Sequence, residues 1–314
     1  MGGGSGTGSD GDRDLGRGAA AEATVRRFDR LRAVTSLWPY RGAPALLSWA
    51  IGALIRPPRG TWAVAPACGL CPTLELDLGA HWHRELFFFP RTYGDFYLRR
   101  PFAAYLDQHL RAGATFLDVG SNVGIFTQHA ARLVGSTGLV VAFEPEPTTH
   151  EAISRSVRRS GLDHVRCVRA AASDHVGVAS FHRAADGTAS SLIAEKAGEE
   201  GRYDADLEVP VTTVDAWVAE AGIDAAAIAL VKVDVEGEEA RALGGMLATL
   251  AVARPPIWCE VRGPEGSTRA PRTAAAVAAV LAPLGYAPFR WSDGPVPVAI
   301  EDVRGREDLL FVAK

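Results

Sequence analysis

The stretch TFLDVGSNVGIFT, residues 115–127, decides how the rest of the chain reads. Thr115–Val119 is a short apolar run interrupted only by Asp118, the pattern of a strand covered on both faces. Gly120 and Gly124 bracket a tight turn. The residues after it put Phe126, Ala130 and Leu133 on one helical face and stop before Gly135. Strand, glycine turn and helix in direct succession open a parallel α/β sheet, whose ligands lie beyond the carboxyl ends of the strands. The spacing is G-x-x-x-G and not the dinucleotide G-x-G-x-x-G, because Asn122 replaces the middle glycine. Asp118, just before the turn, repels a pyrophosphate but suits an ammonium or a sulfonium.

Working outward, the same alternation recurs. PFAAYLDQHLRAG (101–113) spaces Phe102, Leu106 and Leu110 as one helical face and ends on Gly113. LVVAFEP (139–145) is a second strand. Thr148 with Glu151 reads as a capping box for a helix running through Ile153 and Val157 to Gly161. HVRCVRAAAS (164–173) is a third strand, followed by an irregular insert. ALVKVDV (229–235), a helix bearing Leu243, Leu247 and Leu250, PIWCEV (256–261), the helical TAAAVAAVLAPLG, YAPFRW and DLLFVAK complete the series. The last two runs are too close for a crossover helix and so form an antiparallel pair at one edge. The expected fold is α/β and Rossmann-like: a seven-stranded, mostly parallel sheet with an antiparallel edge hairpin, preceded by an N-terminal extension.

Composition sets the outer limits. The chain has 314 residues, 47% of them hydrophobic and 22% charged, enough to bury a large core. Its 33 Lys and Arg against 37 Asp and Glu give a charge of −4, which offers no basic face to nucleic acid. Four cysteines are too few for a disulfide framework. Residues 1–20 hold eight glycines and read as a disordered tail; 21–100 read as an extension or lid; 101–314 read as the α/β domain. The N-terminus has no signal-peptide apolar region, so a cytoplasmic location is expected. The apolar run 42–55 is shorter than the roughly 20 residues needed to cross a bilayer. It reads as a packed helix or a dimer contact, which excludes stable membrane insertion and leaves a homodimer open.

The second strand ends at Glu144, where a carboxylate can accept both hydroxyls of a ribose. Asp118, Gly120, Ser121, Asn122, Gly124 and Glu144 together describe a nucleoside joined to an amino acid without phosphate, which is S-adenosylmethionine. Asp174, after the third strand, is placed to reach the adenine amino group, or else simply forms a turn.

FLDVGSNVGIFT, VVAFEPEP, AASDHVGVASF followed by ASSL, VPVTTVDAW, and above all LVKVDVEGEEARALGGM resemble the FkbM family of S-adenosylmethionine-dependent methyltransferases over about residues 100–314. The resemblance implies a class I methyltransferase fold and O-methylation of a hydroxyl on a small-molecule acceptor, such as a polyketide, a sugar or a related metabolite. The residues alone leave other readings open. These are N- or carboxyl-methylation with the same cofactor, a nicotinamide-dependent oxidoreductase, and a non-catalytic cofactor-binding protein.

An alcohol is a poor nucleophile while it keeps its proton, so a base or orienting group belongs near the acceptor. Lys232, Asp234 and Glu236 alternate and therefore face the same way. Asp234 is the candidate acceptor-orienting group or base and Lys232 tunes its charge; the alternative is an ion pair that braces the strand. Glu236 before Gly237 reads as a helix cap. Glu260 is expected beside Asp234 on the neighbouring strand, a pairing that also suits Mg²⁺, although no metal is assigned. Cys68-x-x-Cys71 with His81-x-His83 imitates zinc spacing, but His-Trp-His reads equally as a strand. Phe87, Phe88, Phe89, Tyr93, Phe96 and Tyr97 read as a core patch rather than an acceptor pocket.

Overall fold

Apolar segments that cannot face water on either side must be sandwiched between helices, and the chain does this around a single large sheet. The computed structural model describes residues 22–32, 60–65, 73–88, 101–184, 192, 203–263 and 274–314. A helix α1 over 22–32 precedes an antiparallel ribbon of β1 (Trp62–Ala65) and β2 (Leu74–Asp77), then α2 (His81–Phe88) and α3 (Pro101–His109). The regular part follows: β3 (Thr115–Val119), α4 (Ile125–Val134), β4 (Leu139–Phe143), α5 (Pro147–Arg159) and β5 (Val165–Val168). After β6 (Ala171–Ala172), β7 (Gly177–Ala184) and β8 (Tyr203–Thr212) come α6 (Val214–Glu220) and β9 (Ile228–Val233). The chain ends with α7 (Glu239–Gly244), α8 (Leu247–Ala253), β10 (Ile257–Arg262), α9 (Ala274–Leu281), β11 (Tyr286–Trp291), β12 (Pro295–Pro297) and β13 (Arg306–Ala313).

The main sheet runs β12-β11-β13-β10-β9-β3-β4-β5. Its parallel centre is built from β10, β9, β3, β4 and β5. This is the expected Rossmann-like architecture with two refinements. The three-residue β12 adds an eighth strand. β13 pairs antiparallel with β11 as expected, but it lies between β11 and β10 and bonds to both. Side chains alternate between two cores along each strand. On β10, Trp258 joins the core beneath α3, α4 and α5, whereas Ile257, Cys259 and Val261 join the core beneath α6 to α9.

The predicted third strand breaks in two. β5 stops at Val168, and Ala171–Ala172 pair instead with β8 in a second sheet of order β6-β8-β7. The insert is therefore ordered in part: β7 and β8 pair antiparallel around a small core of Ala171, Phe181, Val209 and Val211.

Within the extension, the described residues pack on α5. The Glu75 carboxylate accepts from Arg155 Nε at 2.7 Å and Arg159 Nη1 at 3.3 Å, while the Glu75 N–H donates to Ser156 Oγ at 2.7 Å. Phe28 of α1 stacks on Phe88 of α2 with ring centroids 5.0 Å apart. Phe87 and Phe88 are fully buried core residues; Phe89, Tyr93, Phe96 and Tyr97 lie outside the described residues, as do the apolar run 42–55 and the glycine-rich tail. No helix among the described residues is long and apolar enough to cross a membrane.

Candidate active site

The turn after β3 is shaped by what presses on it. Gly120 has φ +82°, and a Cβ there would stand 1.9 Å from the carbonyl oxygen of Asp234 at the end of β9. Gly124, also at φ +82°, would drive a Cβ to 2.5 Å from Ile153 of α5. Asn122 takes the left-handed conformation at φ 50° and accepts from the Val123 N–H with its own side chain at 2.8 Å. Every backbone N–H from 120 to 124 is engaged inside the protein. Gly120 and Ser121 donate to the Phe143 carbonyl, Asn122 to Glu144 Oε2 at 3.0 Å, Val123 to Asn122, and Gly124 to the Ser121 carbonyl. A phosphate cradle needs such groups free and pointing at the ligand. This turn can offer shape and a nearby carboxylate, but no ring of amides.

That carboxylate is Glu144, one strand over at the end of β4. Its oxygens accept from the Asn122 and Glu146 backbone N–H groups at 3.0 and 2.9 Å. Burial pushes its carboxyl up to about 8, with the Glu146 and Asp118 charges adding to the rise and the two backbone bonds opposing it. The predicted capping box at Thr148 gives way to a different cap. Glu146 Oε2 accepts from the Thr149 N–H at 2.6 Å, with Pro147 opening the helix. Arg183 of β7 reaches Glu146 at 3.3 Å and so ties the second sheet to this corner.

Asp174 follows β6 and makes its contacts with other residues. Because Ala171–Ala172 join the second sheet, it emerges half-exposed and is held by His175 at 3.0 Å, Ser173 at 3.3 Å and Arg241 at 3.6 Å. The His175 hydrogen bond, with Arg241 and Ser173, keeps its carboxyl below the usual carboxylate range against a partial burial cost. No hydrogen bond or ion pair among the described residues joins it to Glu144 or to the glycine turn.

The remaining candidates meet on the face shared by β3, β9, β10 and β13. Asp118, Lys232 and Trp258 are cross-strand neighbours. Lys232 Nζ lies 3.5 Å from Asp118 Oδ1 and 3.3 Å from Asp234 Oδ2, and donates to the Gly120 carbonyl at 3.2 Å. Burial opposes its charge, but Asp234 and then Asp118 outweigh that cost and hold the amine above the ordinary lysine value. Lys232 is thus a fixed ammonium. Asp118 is wholly buried, and its Oδ2 accepts from Thr127 Oγ1 at 2.6 Å.

One row further along, Glu260 faces Asp308 across β10 and β13, and Asp234, Glu236 and Glu260 bring one carboxylate oxygen each within 4.8 Å of one another. Arg306 bridges two of them, with Nη2 2.6 Å from Glu236 Oε1 and Nε 2.6 Å from Glu260 Oε1, and Arg262 lies 3.4 Å from Glu236. The guanidinium already supplies the positive charge that this trio would otherwise seek from a cation. Glu236 is not the expected helix cap: it sits at φ 53° with its carboxylate turned to the arginines, and Glu239 accepts from the Gly237 N–H at 2.7 Å. Burial, then the charges of Asp234 and Glu236, push Glu260 up to about 8 against the pull of Arg306.

Between this charged row and an aromatic wall lies a narrow recess of about 10 Å³, room for a single water. The wall is Phe102 of α3, Phe126 of α4 and Trp258 of β10, with Phe102 centred 4.9 Å from Phe126 and 5.1 Å from Trp258. Sequence reasoning missed Arg306, Glu146 and Thr127. Only Thr127 left a trace there, as a lone hydroxyl in the apolar first turn of a helix. His81 and His83, read as a possible strand, lie on α2. His83 is buried, its Nδ1 accepts from the Asp77 N–H at 3.2 Å, and burial, reinforced by Arg84, lowers its imidazole to about 4. Cys68 and Cys71 lie outside the described residues.

Comparison with known proteins adds the following. The family model described as Methyltransferase FkbM domain matches residues 118–287. The 31-O-demethyl-FK506 methyltransferase FkbM of Streptomyces tacrolimicus is 31% identical over 164 residues, which is 44% of this chain and 61% of that protein. A protein-L-isoaspartate O-methyltransferase of Caenorhabditis elegans is 44% identical over 55 residues, 18% of this chain and 24% of that one. The chain therefore spans less than two thirds of the length of either relative. Among solved structures, methyltransferase FkbM from Methylobacillus flagellatus KT aligns at TM-score 0.41 and 13% identity, covering 73% of this chain and 54% of that one. A SAM dependent methyltransferase from Aquifex aeolicus aligns at TM-score 0.38 and 13% identity, covering 68% and 88%.

Proposed function

The family match spans more than half of the chain, so the protein belongs to the FkbM methyltransferase domain family, and we propose that it methylates a hydroxyl oxygen of a small-molecule acceptor held beside Asp234. The methyl donor is S-adenosylmethionine, which when bound supplies a methyl carbon made electrophilic by a sulfonium sulfur. The observation that carries the reading is the glycine turn itself. All five of its amides are engaged internally and a buried carboxylate stands at the next strand end, which suits a ribose without phosphate.

In this reading Glu144 accepts the ribose hydroxyls, Asp118 and the Gly120–Gly124 turn, with Ser121 and Asn122, hold the amino-acid portion, and Asp174 accepts from the adenine amino group. Asp234 orients the acceptor hydroxyl. Lys232, with Nζ 3.3 Å from Oδ2, holds Asp234 in place. The aromatic wall of Phe102, Phe126 and Trp258 closes one side of the charged row and limits the water that reaches it.

Calorimetric titration with S-adenosylhomocysteine on wild type and Glu144→Ala tests the cofactor half. The variant is expected to lose about 1–3 kcal/mol of binding from the orphaned hydroxyls and amides; equal affinities would reject the assignment. Mass spectrometry of a panel of hydroxyl, amine and carboxylate acceptors tests the other half, with product expected from hydroxyls.

A further inference from the structure

Resting on the cofactor reading above, we infer that Arg183 of β7 is a positioning residue for the methyl donor. It locks Glu146, and through the Glu146 N–H it sets the Glu144 carboxylate that accepts the ribose hydroxyls. The second sheet then contributes to cofactor affinity from outside the strands that carry the site.

The alternation of β7 puts Arg183 where an arginine is costly. Val178 and Ser180 are exposed on one face, whereas Ala179, Phe181 and Arg183 share the other, and Phe181 belongs to the small core of this sheet. The Arg183 side chain is 15% exposed, and its Nη1 lies 3.3 Å from Oε1 of Glu146, which is 7% exposed. A guanidinium withdrawn this far from water needs a carboxylate to answer it. The ladder also slips at this point. Arg183 faces Ala205 but Ala184 faces Tyr203, so Asp204 is passed over. A bulge of this kind bends the strand and re-aims a side chain, a device concentrated beside functional sites.

Glu146 converts the contact into geometry. Its Oε1 takes Arg183 and its Oε2 takes the Thr149 N–H that opens α5, so both carboxylate oxygens are held by different elements. The backbone of Glu146 is fixed with them, and its N–H rests on Glu144 Oε1 at 2.9 Å. From the other side the Asn122 N–H rests on Oε2 at 3.0 Å. An ionised carboxylate has about four acceptor positions. The two amides take one on each oxygen, which fixes the carboxylate plane and leaves one on each for a pair of neighbouring hydroxyls. The Glu146 charge favours a proton on Glu144, and the guanidinium offsets that charge.

Calorimetric titration with S-adenosylhomocysteine at pH 7 reads the link in a four-protein cycle: wild type, Arg183→Met, Glu144→Ala and the double variant. Arg183→Met is expected to weaken binding about five- to tenfold when Glu144 is intact, and less than about twofold in the Glu144→Ala background. Arg183→Lys should recover affinity to within about threefold of wild type, because the contact runs through one nitrogen that an ammonium can replace. Packing of the stem alone would be served equally by Met and Lys. Equal fold losses in the two Glu144 backgrounds overturn the inference, as does an Arg183→Met protein that binds like wild type or an Arg183→Lys protein as weak as Arg183→Met. If Arg183→Met does not fold, Glu146→Asp runs the same cycle. It keeps a capping carboxylate but stands one methylene short of Arg183, and a loss there that ignores Glu144 is equally fatal. Wild-type affinity in Glu144→Ala would remove the ribose assignment itself, whereas a loss there with an independent Arg183 effect removes only the link between the two.

Discussion

Replacing Lys232 with Met removes the ammonium and keeps most of the stem, which isolates what the charge does. Asp118 is wholly buried, and its Oδ1 relies on Lys232, 3.5 Å away, while Thr127 serves only Oδ2. Lys232→Met therefore strands a carboxylate with no route to water. Breaking a buried ion pair by deleting one partner costs about 3–5 kcal/mol. Asp234, a quarter exposed, can turn to solvent and adds little, and the Gly120 carbonyl loses one donor worth about 1 kcal/mol. A total near 5 kcal/mol, at roughly 2 °C per kcal/mol for a chain of this size, lowers the melting temperature by about 10 °C. Urea denaturation followed by tryptophan fluorescence measures the loss directly. The double variant Asp118→Asn/Lys232→Met should recover at least half of it, because a neutral amide needs no counter-charge. A single variant within about 0.5 kcal/mol of wild type, the scatter of ordinary surface changes, would refute the desolvated triad.

Other outcomes follow from the same geometry. Gly120→Ala sets a methyl against backbone at 1.9 Å, whereas Gly135, also at positive φ, has open space around it; Gly120→Ala should lose both yield and S-adenosylhomocysteine binding, while Gly135→Ala loses only about 1–3 kcal/mol of stability. Glu144 and Glu260 hold their protons to about pH 8 when folded and release them near 4.5 when unfolded. Stability contributed by these groups is therefore complete below about pH 4.5 and is lost as pH climbs toward 8, and denaturant titrations at pH 6 and 8.5 should show a smaller drop in Glu144→Gln than in wild type. Glu75→Ala breaks the ties to Arg155 and Arg159; faster proteolysis of the extension with unaltered S-adenosylhomocysteine affinity is expected, by pulsed digestion and calorimetry.

Much of the fold could be read from local pattern. Continuous apolar runs ending in Gly120, Glu144 and Asp234 can only be strands of a doubly covered sheet, and those strand ends meet as their order predicts. What escaped the sequence depends on long-range pairing. Nothing near Phe311 says that β13 lies beside β10 as well as β11; that order emerges only when both partners are in place. Arg169 and Ala170 carry no break signal, yet the chain leaves the main sheet there because β8, some forty residues later, offers Ala171 and Ala172 a partner. The half-exposed setting of Asp174 follows from that one departure. Thr148 and Glu151 looked like a cap because spacing alone identifies a capping box, but Pro147 fixes the first helical position two residues earlier and hands the role to Glu146. Arg306 was invisible for the same reason as β13: an ion pair across two strands has no signature in either.

The saturated amides of the 120–124 turn have a consequence for life inside a cell. Adenosine is the handle shared by ATP, NAD and many other abundant metabolites, and proteins that grip those compounds draw much of their hold from the triphosphate or pyrophosphate. Here the turn has no spare amide to offer such a portion. ATP and NAD are therefore expected to displace S-adenosylhomocysteine poorly from the proposed site, which a competition titration would read.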